Sequence, residues 1–382
     1  MKTEKVLHII TVSFVINHFF GKQFLYLNAK IGNEYHLGCS PSKEFLELSK
    51  PLGYIPFEVE ITRNISPIKD LKAIIKIYKY IKANNIDVVV GHTPKGGMVA
   101  MIASFFANIS KRIYFRHGII YETSKGFKRF LLKNIDAITG GFSTKVVCVS
   151  KSVRERSEKD KLNDPKKNII LGLGTCNGID TESKFNPEFA DINKVEALKK
   201  QLKIEKADKV IGYVGRLVKD KGIEELIEAW EIIKVKYPNV KLLLVGPIEE
   251  KDSISEATKN TIFSDESILF TDFVLDSAPY FSLMDIFILP TYREGFPTVS
   301  LEASSMEIPV IITKATGCTE SIQENITGVF ITHEPKNIAE KILFYLNNDE
   351  IAKEHGANGR KFVRANFEES KIWNHISENL KY

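Results

Sequence analysis

The densest run of residues able to do chemistry is Pro290-Thr291-Tyr292-Arg293-Glu294-Gly295-Phe296-Pro297-Thr298-Val299-Ser300-Leu301-Glu302. It leaves a strand at Pro290, turns, and restarts as a helix whose first turn holds Pro297, a residue tolerated where amides lack internal partners. The amides from Phe296 through Thr298 to Val299 then point out of a helix N-terminus, which suits an anion such as a diphosphate. Carboxylates are poor phosphate ligands and good acceptors for sugar hydroxyls. Glu302, about one turn further on, reaches vicinal hydroxyls such as those of a ribose. Glu294 and Gly295 sit where the far end of such a ligand falls. Two glutamates alone would be ordinary solvated charges; set in Glu-Gly-Phe-Pro after a strand, they form a constellation.

A second cluster supplies cations. In Gly212-Tyr213-Val214-Gly215-Arg216-Leu217, followed after three residues by Lys221-Gly222, a strand ends at Val214, Gly215 allows a tight turn, and a helix starts near Gly222. Arg216 and Lys221 then stand beside the helix at Pro297, where fixed cations and oriented amides stabilise a departing anion best if water is excluded. Pairing with Asp220, Glu224 or Glu225 is the plain alternative. A third element, Arg116-His117-Gly118, follows the strand Ile113-Tyr114-Phe115. His8, His18 and His92 read as structural, with His92 the first candidate for an exception. Thr93-Pro94-Lys95-Gly96-Gly97 lies between a strand and a helix, so its amides and Lys95 either hold a second phosphate-bearing group or form an ordinary turn. Gly172-Leu173-Gly174-Thr175-Cys176-Asn177-Gly178 imitates a dinucleotide fingerprint, but its third glycine is one residue late and no helix follows at once; it reads as an inter-domain crossover.

These motifs need a scaffold that brings strand ends together. Short β-branched runs alternate with amphipathic stretches throughout, giving strands at Val6–Thr11, Glu34–Gly38, Asp87–Gly91, Arg112–Phe115, Lys145–Ser150 and Asn168–Gly172. The series restarts at Val210–Val214, Lys241–Val245, Asp285–Pro290 and Pro309–Thr313. Val88-Val89-Val90 and Leu242-Leu243-Leu244 are apolar on both faces, as parallel strands under helices must be. In the helix Pro67–Asn84, Ile68, Leu71, Ile74, Ile75, Tyr78 and Ile81 make an apolar stripe, with Lys72, Lys76 and Lys79 on another face. The reading is α/β: two Rossmann-like doubly wound domains. Their expected bounds are 1–185 and 186–366, with 367–382 a terminal helix that docks back on the body.

The 382 residues allow two cores. Cys39, Cys148, Cys176 and Cys318 have neither metal-ligand nor disulfide spacing and argue for reduced thiols in a cytosol. The N-terminus reads as a first strand rather than a signal peptide, and Met98–Ala107 is about half the ~20 residues a membrane span needs. Residues 1–180 hold 28 of the 53 Lys and Arg against 15 of the 48 Asp and Glu, a formal +13, which leaves the remainder at −8. The first half therefore either meets something anionic or is a solvated lysine-rich surface. Lys111, Arg112, Arg116, Lys125, Lys128 and Arg129 interleave with Ile119, Ile120, Tyr121, Phe127 and Phe130, a mixture that suits an acidic membrane surface or an ordinary, partly anchored helix. No stacking platform or module for nucleic acid is present.

On these motifs the chain resembles family 4 of the retaining glycosyltransferases, which have the GT-B fold, and within it the branch of bacterial surface polysaccharides and lipid-linked oligosaccharides. That family carries Glu, seven residues, Glu, matched by Glu294 and Glu302, and a Gly-Arg-Leu turn with Lys-Gly after three residues, matched by Gly215, Arg216 and Lys221. Gly317-Cys318-Thr319-Glu320 and Gly328 match its Gly-Cys-x-Glu and later Gly. The resemblance implies two domains facing a central cleft, with Arg216 and Lys221 as diphosphate clamp. It implies that Glu294 and the following amides hold the donor sugar, that Glu302 binds the ribose and that His117 contacts the sugar in the transition state. It further implies a nucleotide sugar, UDP-linked, as co-substrate, no cofactor and no metal. The acceptor it implies is a polyprenyl-diphosphate-linked sugar, used by a cytoplasmic protein peripheral on the inner face of the membrane.

The chain departs from the family in two places. Where the family often has a pair of glycines lining the acceptor side, this chain has Thr11-Val12-Ser13-Phe14, which leaves Ser13, Lys95 and Arg116 as acceptor candidates. Asp272 stands where the family commonly has Gly, near the base-binding loop. A GT-B sugar-nucleotide epimerase and a non-catalytic nucleotide-sugar-binding subunit are the competing readings; the second would have lost part of the clamp, and none is missing.

Overall fold

The computed structural model describes residues 3–64, 66–250 and 252–380; the last two positions of the expected terminal helix lie outside the described residues. The chain divides into two compact units, Met1–Gly178 with Glu369–Tyr382, and Ile179–Glu368. The change falls at Ile179 because its N–H donates to the Phe367 carbonyl at 2.8 Å and the Thr181 N–H to the Glu368 carboxylate at 3.1 Å, so the chain enters and leaves the second unit side by side.

The first unit contains β1 (Lys5–Ile9), β2 (Glu34–Cys39), β3 (Ile55–Glu58), β4 (Val88–His92), β5 (Lys111–Arg116), β6 (Lys145–Cys148) and β7 (Asn168–Ile169). They form one parallel sheet in the order β3-β2-β1-β4-β5-β6-β7. The second unit contains β8 (Lys209–Val214), β9 (Val240–Val245), β10 (Ile268–Phe270), β11 (Ile286–Leu289), β12 (Val310–Thr313) and β13 (Gly328–Ile331), parallel in the order β10-β9-β8-β11-β12-β13. Each sheet is doubly wound, and the winding reverses beside its first strand, between β1 and β4 and between β8 and β11. Past the carboxyl ends of strands at such a reversal, departing loops splay apart and leave a crevice for ligand.

The central strands are buried on both faces, Val88, Val89 and Val90 in one sheet and Leu242, Leu243 and Leu244 in the other. β3, β10 and β13, absent from the expected strands, are all edge strands. An edge strand buries less of itself: in Ile55–Glu58 only Phe57 is inside, so no continuous apolar run marks it.

The helix Pro67–Asn84 forms where expected but is rotated from the expected orientation. Asp70, Ala73, Ile77 and Ile81 face inward, and Ile68, Leu71, Ile75 and Tyr78 are exposed. The neighbouring helix Pro94–Phe106 packs against it and presents Lys95, whose ammonium bonds the buried Asp70 carboxylate. That ion pair must lie inward, and it turns the larger aliphatic stripe out.

The terminal helix Glu369–Leu380 packs on the first unit. Ile372, Trp373, Ile376 and Leu380 are buried, Trp373 Nε1 donates to Asn177 Oδ1 at 2.8 Å, and Tyr26 Oη donates to Asn374 at 2.8 Å. All four cysteines are buried free thiols. No described helix is long and apolar enough to cross a membrane.

Candidate functional site

The loops that leave β8 and β11 carry the second unit's cluster. Lys221 Nζ donates to Glu294 Oε1, and both side chains are largely buried. Arg216 lies half-exposed on the same loop as Lys221 and bonds Glu249 at 2.7 Å. The acids foreseen as partners do other work. Asp220 stitches the two loops together: its carbonyl accepts from the Tyr292 N–H at 3.0 Å and from Thr291 Oγ1 at 3.3 Å, and its carboxylate pairs with Arg293 at 2.8 Å. Glu225 accepts from Tyr292 Oη at 2.5 Å. Tyr213, buried under the Gly215 turn, donates to the Arg216 carbonyl at 2.8 Å; burial, reinforced by Glu294, raises its phenol well above the usual range and keeps it a donor.

Two glycines make this approach possible. Gly222, at φ +69°, ends the turn carrying Lys221, and a Cβ there would overlap the Pro290 carbonyl oxygen. Gly317, at φ +87°, lies against the carbonyls of Glu294 and Gly295 in the same way. Next to it the Glu294 N–H donates to Thr316 at 2.8 Å.

The helix Thr298–Ser305 starts directly after this loop, with Pro297 as N-cap and no side-chain cap. The amides divide. The Thr298 N–H turns back to Phe296 and the Ser300 N–H to Pro297, each at 3.0 Å. No described residue accepts from those of Gly295, Phe296 or Val299. Glu302 is partly buried, and its pKa is pushed up to about 7, first by burial, with Lys184 pulling it down and Asp276 pushing it further up. Cations, a carboxylate and open amides on the loops leaving β8 and β11 are groups suited to a polyanion joined to hydroxyl groups.

The first unit places its expected residues differently. Arg116 is wholly buried, its Nε on Asp136 at 3.0 Å and its Nη1 on Ser157 at 2.5 Å. Lys95 is buried on Asp70. Both side chains are structural ion pairs rather than acceptor ligands, because a buried guanidinium or ammonium must be paired where it lies. Ser13 opens a short 3-10 turn beyond β1, at the winding reversal.

His117 follows β5 and joins a row that composition could not reveal. His117 Nε2 lies 3.0 Å from His92 Nδ1, and His92 Nε2 lies 3.0 Å from His8 Nδ1. Burial lowers all three: His8 and His117 to about 3, and His92 well below its ordinary value. The signal that could have found the row is positional, since His8 lies on β1, His92 ends β4 and His117 follows β5, three adjacent strands.

Two Rossmann-like units with a cation and carboxylate cluster at the second reversal are the architecture of the GT-B fold. The comparisons agree: residues 194–362 match the family described as Glycosyl transferases group 1, and residues 29–182 match Glycosyltransferase Family 4. The chain is 35% identical over 377 residues to the capsular polysaccharide biosynthesis glycosyltransferase CapM of Staphylococcus aureus, covering 98% of this chain and 96% of that protein. It is 27% identical to the UDP-Gal:alpha-D-GlcNAc-diphosphoundecaprenol alpha-1,3-galactosyltransferase of Escherichia coli, over 76% of this chain and 73% of that one. The crystal structure of a glycosyltransferase from Rickettsia africae superposes with a TM-score of 0.81 at 22% identity, covering 100% of this chain and 98% of that one. The chain belongs to glycosyltransferase family 4, of the GT-B fold.

Gly317→Ala tests how the cluster is held. It forces a left-handed backbone on a side chain that has no room, so stability falls by more than about 1 kcal/mol and the Glu294 loop shifts. Urea unfolding and calorimetry with uridine diphosphate read the two effects; an unchanged midpoint together with unchanged affinity would contradict this account of the loop.

Proposed function

We propose that the chain transfers a hexose or N-acetylhexosamine from a UDP-sugar, with retention and without a metal, to a polyprenyl-diphosphate-linked saccharide in surface polysaccharide or glycan assembly. The observation that carries the reading is the meeting of Lys221 with Glu294 beside the open amides of Gly295, Phe296 and Val299. Lys221, Arg216 and those amides neutralise the charge that gathers on the diphosphate as the glycosidic bond breaks. Glu294 holds the sugar as it becomes oxocarbenium-like; a sugar contact for His117 is inferred from family membership alone. The motifs supply no dedicated base, and in this reading the leaving phosphate oxygen takes the acceptor's proton on the same face. Retention rests on family membership, and the donor and acceptor classes on likeness to the relative from Escherichia coli.

A panel of UDP- and GDP-sugars, incubated with a synthetic polyprenyl-diphosphate sugar and with a phosphate-free glycoside, tests this. Transfer only to the lipid diphosphate, with the anomeric configuration kept and turnover unaffected by EDTA, is expected, and Lys221→Ala lowers kcat by about a hundredfold or more. Conversion of donor without acceptor would point to an epimerase instead; equal use of both acceptors would remove the anionic acceptor.

Glu302 gives the proposal a pH signature. Its folded-state pKa of about 7 lies above the ordinary carboxylate range, so the group is protonated below that pH and ionises above it. A ribose hydroxyl donates best to the ionised form. Affinity for an intact UDP-sugar, whose diphosphate does not titrate in this window, therefore rises by about tenfold between pH 6 and pH 8, the worth of roughly 1.4 kcal/mol. Glu302→Gln flattens the profile, and a profile already flat in the unaltered protein removes Glu302 from the ribose.

We also infer a peripheral seat on an acidic membrane. The helix Pro67–Asn84 supports it: Ile68, Leu71 and Ile75 are 73%, 57% and 46% exposed on one face, and the exposed Lys72, Lys76 and Lys79 lie alongside. Each such lysine adds about 1 kcal/mol near an anionic surface. Vesicles rich in phosphatidylglycerol should sediment the protein and neutral vesicles should not, with Leu71→Glu and Ile75→Glu together abolishing the difference. Equal sedimentation with both kinds would overturn it.

A further inference from the structure

We propose that His8, His92 and His117 form one hydrogen-bonded relay in which His92, backed by His8, is a positioning residue that dictates which nitrogen of His117 carries its proton. The inference rests on the reading above only in assigning His117 to the sugar. The relay itself rests on the two 3.0 Å contacts and on the sheet beneath them. β1 pairs with β4, placing His8 opposite Val90, and β4 pairs with β5, placing His92 opposite Phe115. The three imidazoles therefore climb across three adjacent strands at the edge where the winding reverses.

The surroundings are aromatic. Phe19 stacks on His117 with centroids 4.1 Å apart at 7°, Phe115 stacks on His92 at 4.8 Å, and Phe20 and Phe24 meet His8 edge-on at 5.4 and 4.9 Å. Outside the row, His18 also disfavours a charge on His117. Burial lowers the pKa of every member, so each ring is neutral and carries one proton.

One proton per ring removes independence. If His92 donates from Nδ1 to His117 Nε2, its own Nε2 is bare and must accept from His8 Nδ1, and His117 keeps its proton on Nδ1. If His117 donates from Nε2, its Nδ1 is a bare acceptor and His92 donates onward to His8. Mixed arrangements put two protons or none between a pair of nitrogens 3.0 Å apart. Nδ1 is the His117 nitrogen to which no described residue hydrogen-bonds, and it presents a donor or an acceptor according to a choice shared with His8. A group that meets a sugar hydroxyl with a fixed role needs no proton rearrangement as the transition state forms.

Nitrogen-15 NMR of the full-length protein labelled at histidine reads the tautomer directly, with His117 assigned by its own substitution. The expected result is one dominant His117 tautomer in the unaltered protein and a changed Nδ1/Nε2 shift pattern in His92→Phe. His8→Phe should change it too, although His8 makes no contact with His117. Kinetics should follow: His92→Phe lowers kcat on the order of tenfold, the scale of a positioned proton-handling group, with donor KM within about twofold. His92→Asn, which restores a polar atom toward His117, recovers part of it. Averaged His117 shifts in the unaltered protein would overturn the relay without recourse to any variant. So would His117 shifts that ignore both His8→Phe and His92→Phe in variants that melt normally. Shifts that move while transfer stays at full rate would uphold the relay and overturn instead the assignment of His117 to the sugar.

Discussion

The contact between Lys221 and Glu294 joins residues far apart in the chain, and it exists because β8 and β11 are neighbours where the winding of the sheet reverses. Holding two opposite charges in a largely buried place costs desolvation, which is offset only if the geometry is tight. The structure tightens it with backbone. The Asp220 carbonyl takes the Tyr292 N–H, the Asp220 carboxylate takes Arg293, and Gly222 and Gly317 let carbonyl groups come closer than any side chain would allow. The Lys221 ammonium is thereby fixed in position and already paired with Glu294.

The reversal in the first unit has the same topology and opposite electrostatics. Its rings at β1, β4 and β5 are neutral, and burial keeps them so. The cations near them are consumed by structure: Arg116 by Asp136 and Ser157, Lys95 by Asp70. The basic excess of the first half is therefore not spent inside the reversal. On the helix Pro67–Asn84 it lies outward, next to aliphatic side chains that the buried Asp70 ion pair has turned to the surface.

What could be read from sequence follows from which interactions are local. β4 and β9 announce themselves because burial on both faces leaves no polar residue in Val88-Val89-Val90 or Leu242-Leu243-Leu244, whereas the edge strand β3 buries only Phe57, and Ile268–Phe270 and Gly328–Ile331 are too short to stand out. The motif around Glu294 was legible because its turn, glycine and proline are consecutive. The partners of its cations were not, since Glu249 and Glu294 reach Arg216 and Lys221 across loops. The inward face of Pro67–Asn84 differs from the one its aliphatic periodicity predicts because that periodicity carries no sign of a buried Asp70 answering Lys95 on the next helix. Taken one at a time, His8 reads as structural and His92 only as the first candidate for an exception, and their relation to His117 appears only when strand order is known.

Charge placement then carries the chemical logic. A sugar losing its diphosphate divides into an anion and a cation-like ring, and a fixed positive charge favours the first while opposing the second. Lys221 and Arg216 stand with the open amides at the second reversal, where an anion gains from them. Histidines at the first reversal are held uncharged by burial, reinforced at His92 by His8 and His117 and at His117 by His18, so any group that meets His117 meets a dipole and no cation. One topology, used twice, is thus lined differently in the two units: by paired ions at the second reversal and by rings sheathed in phenylalanine at the first.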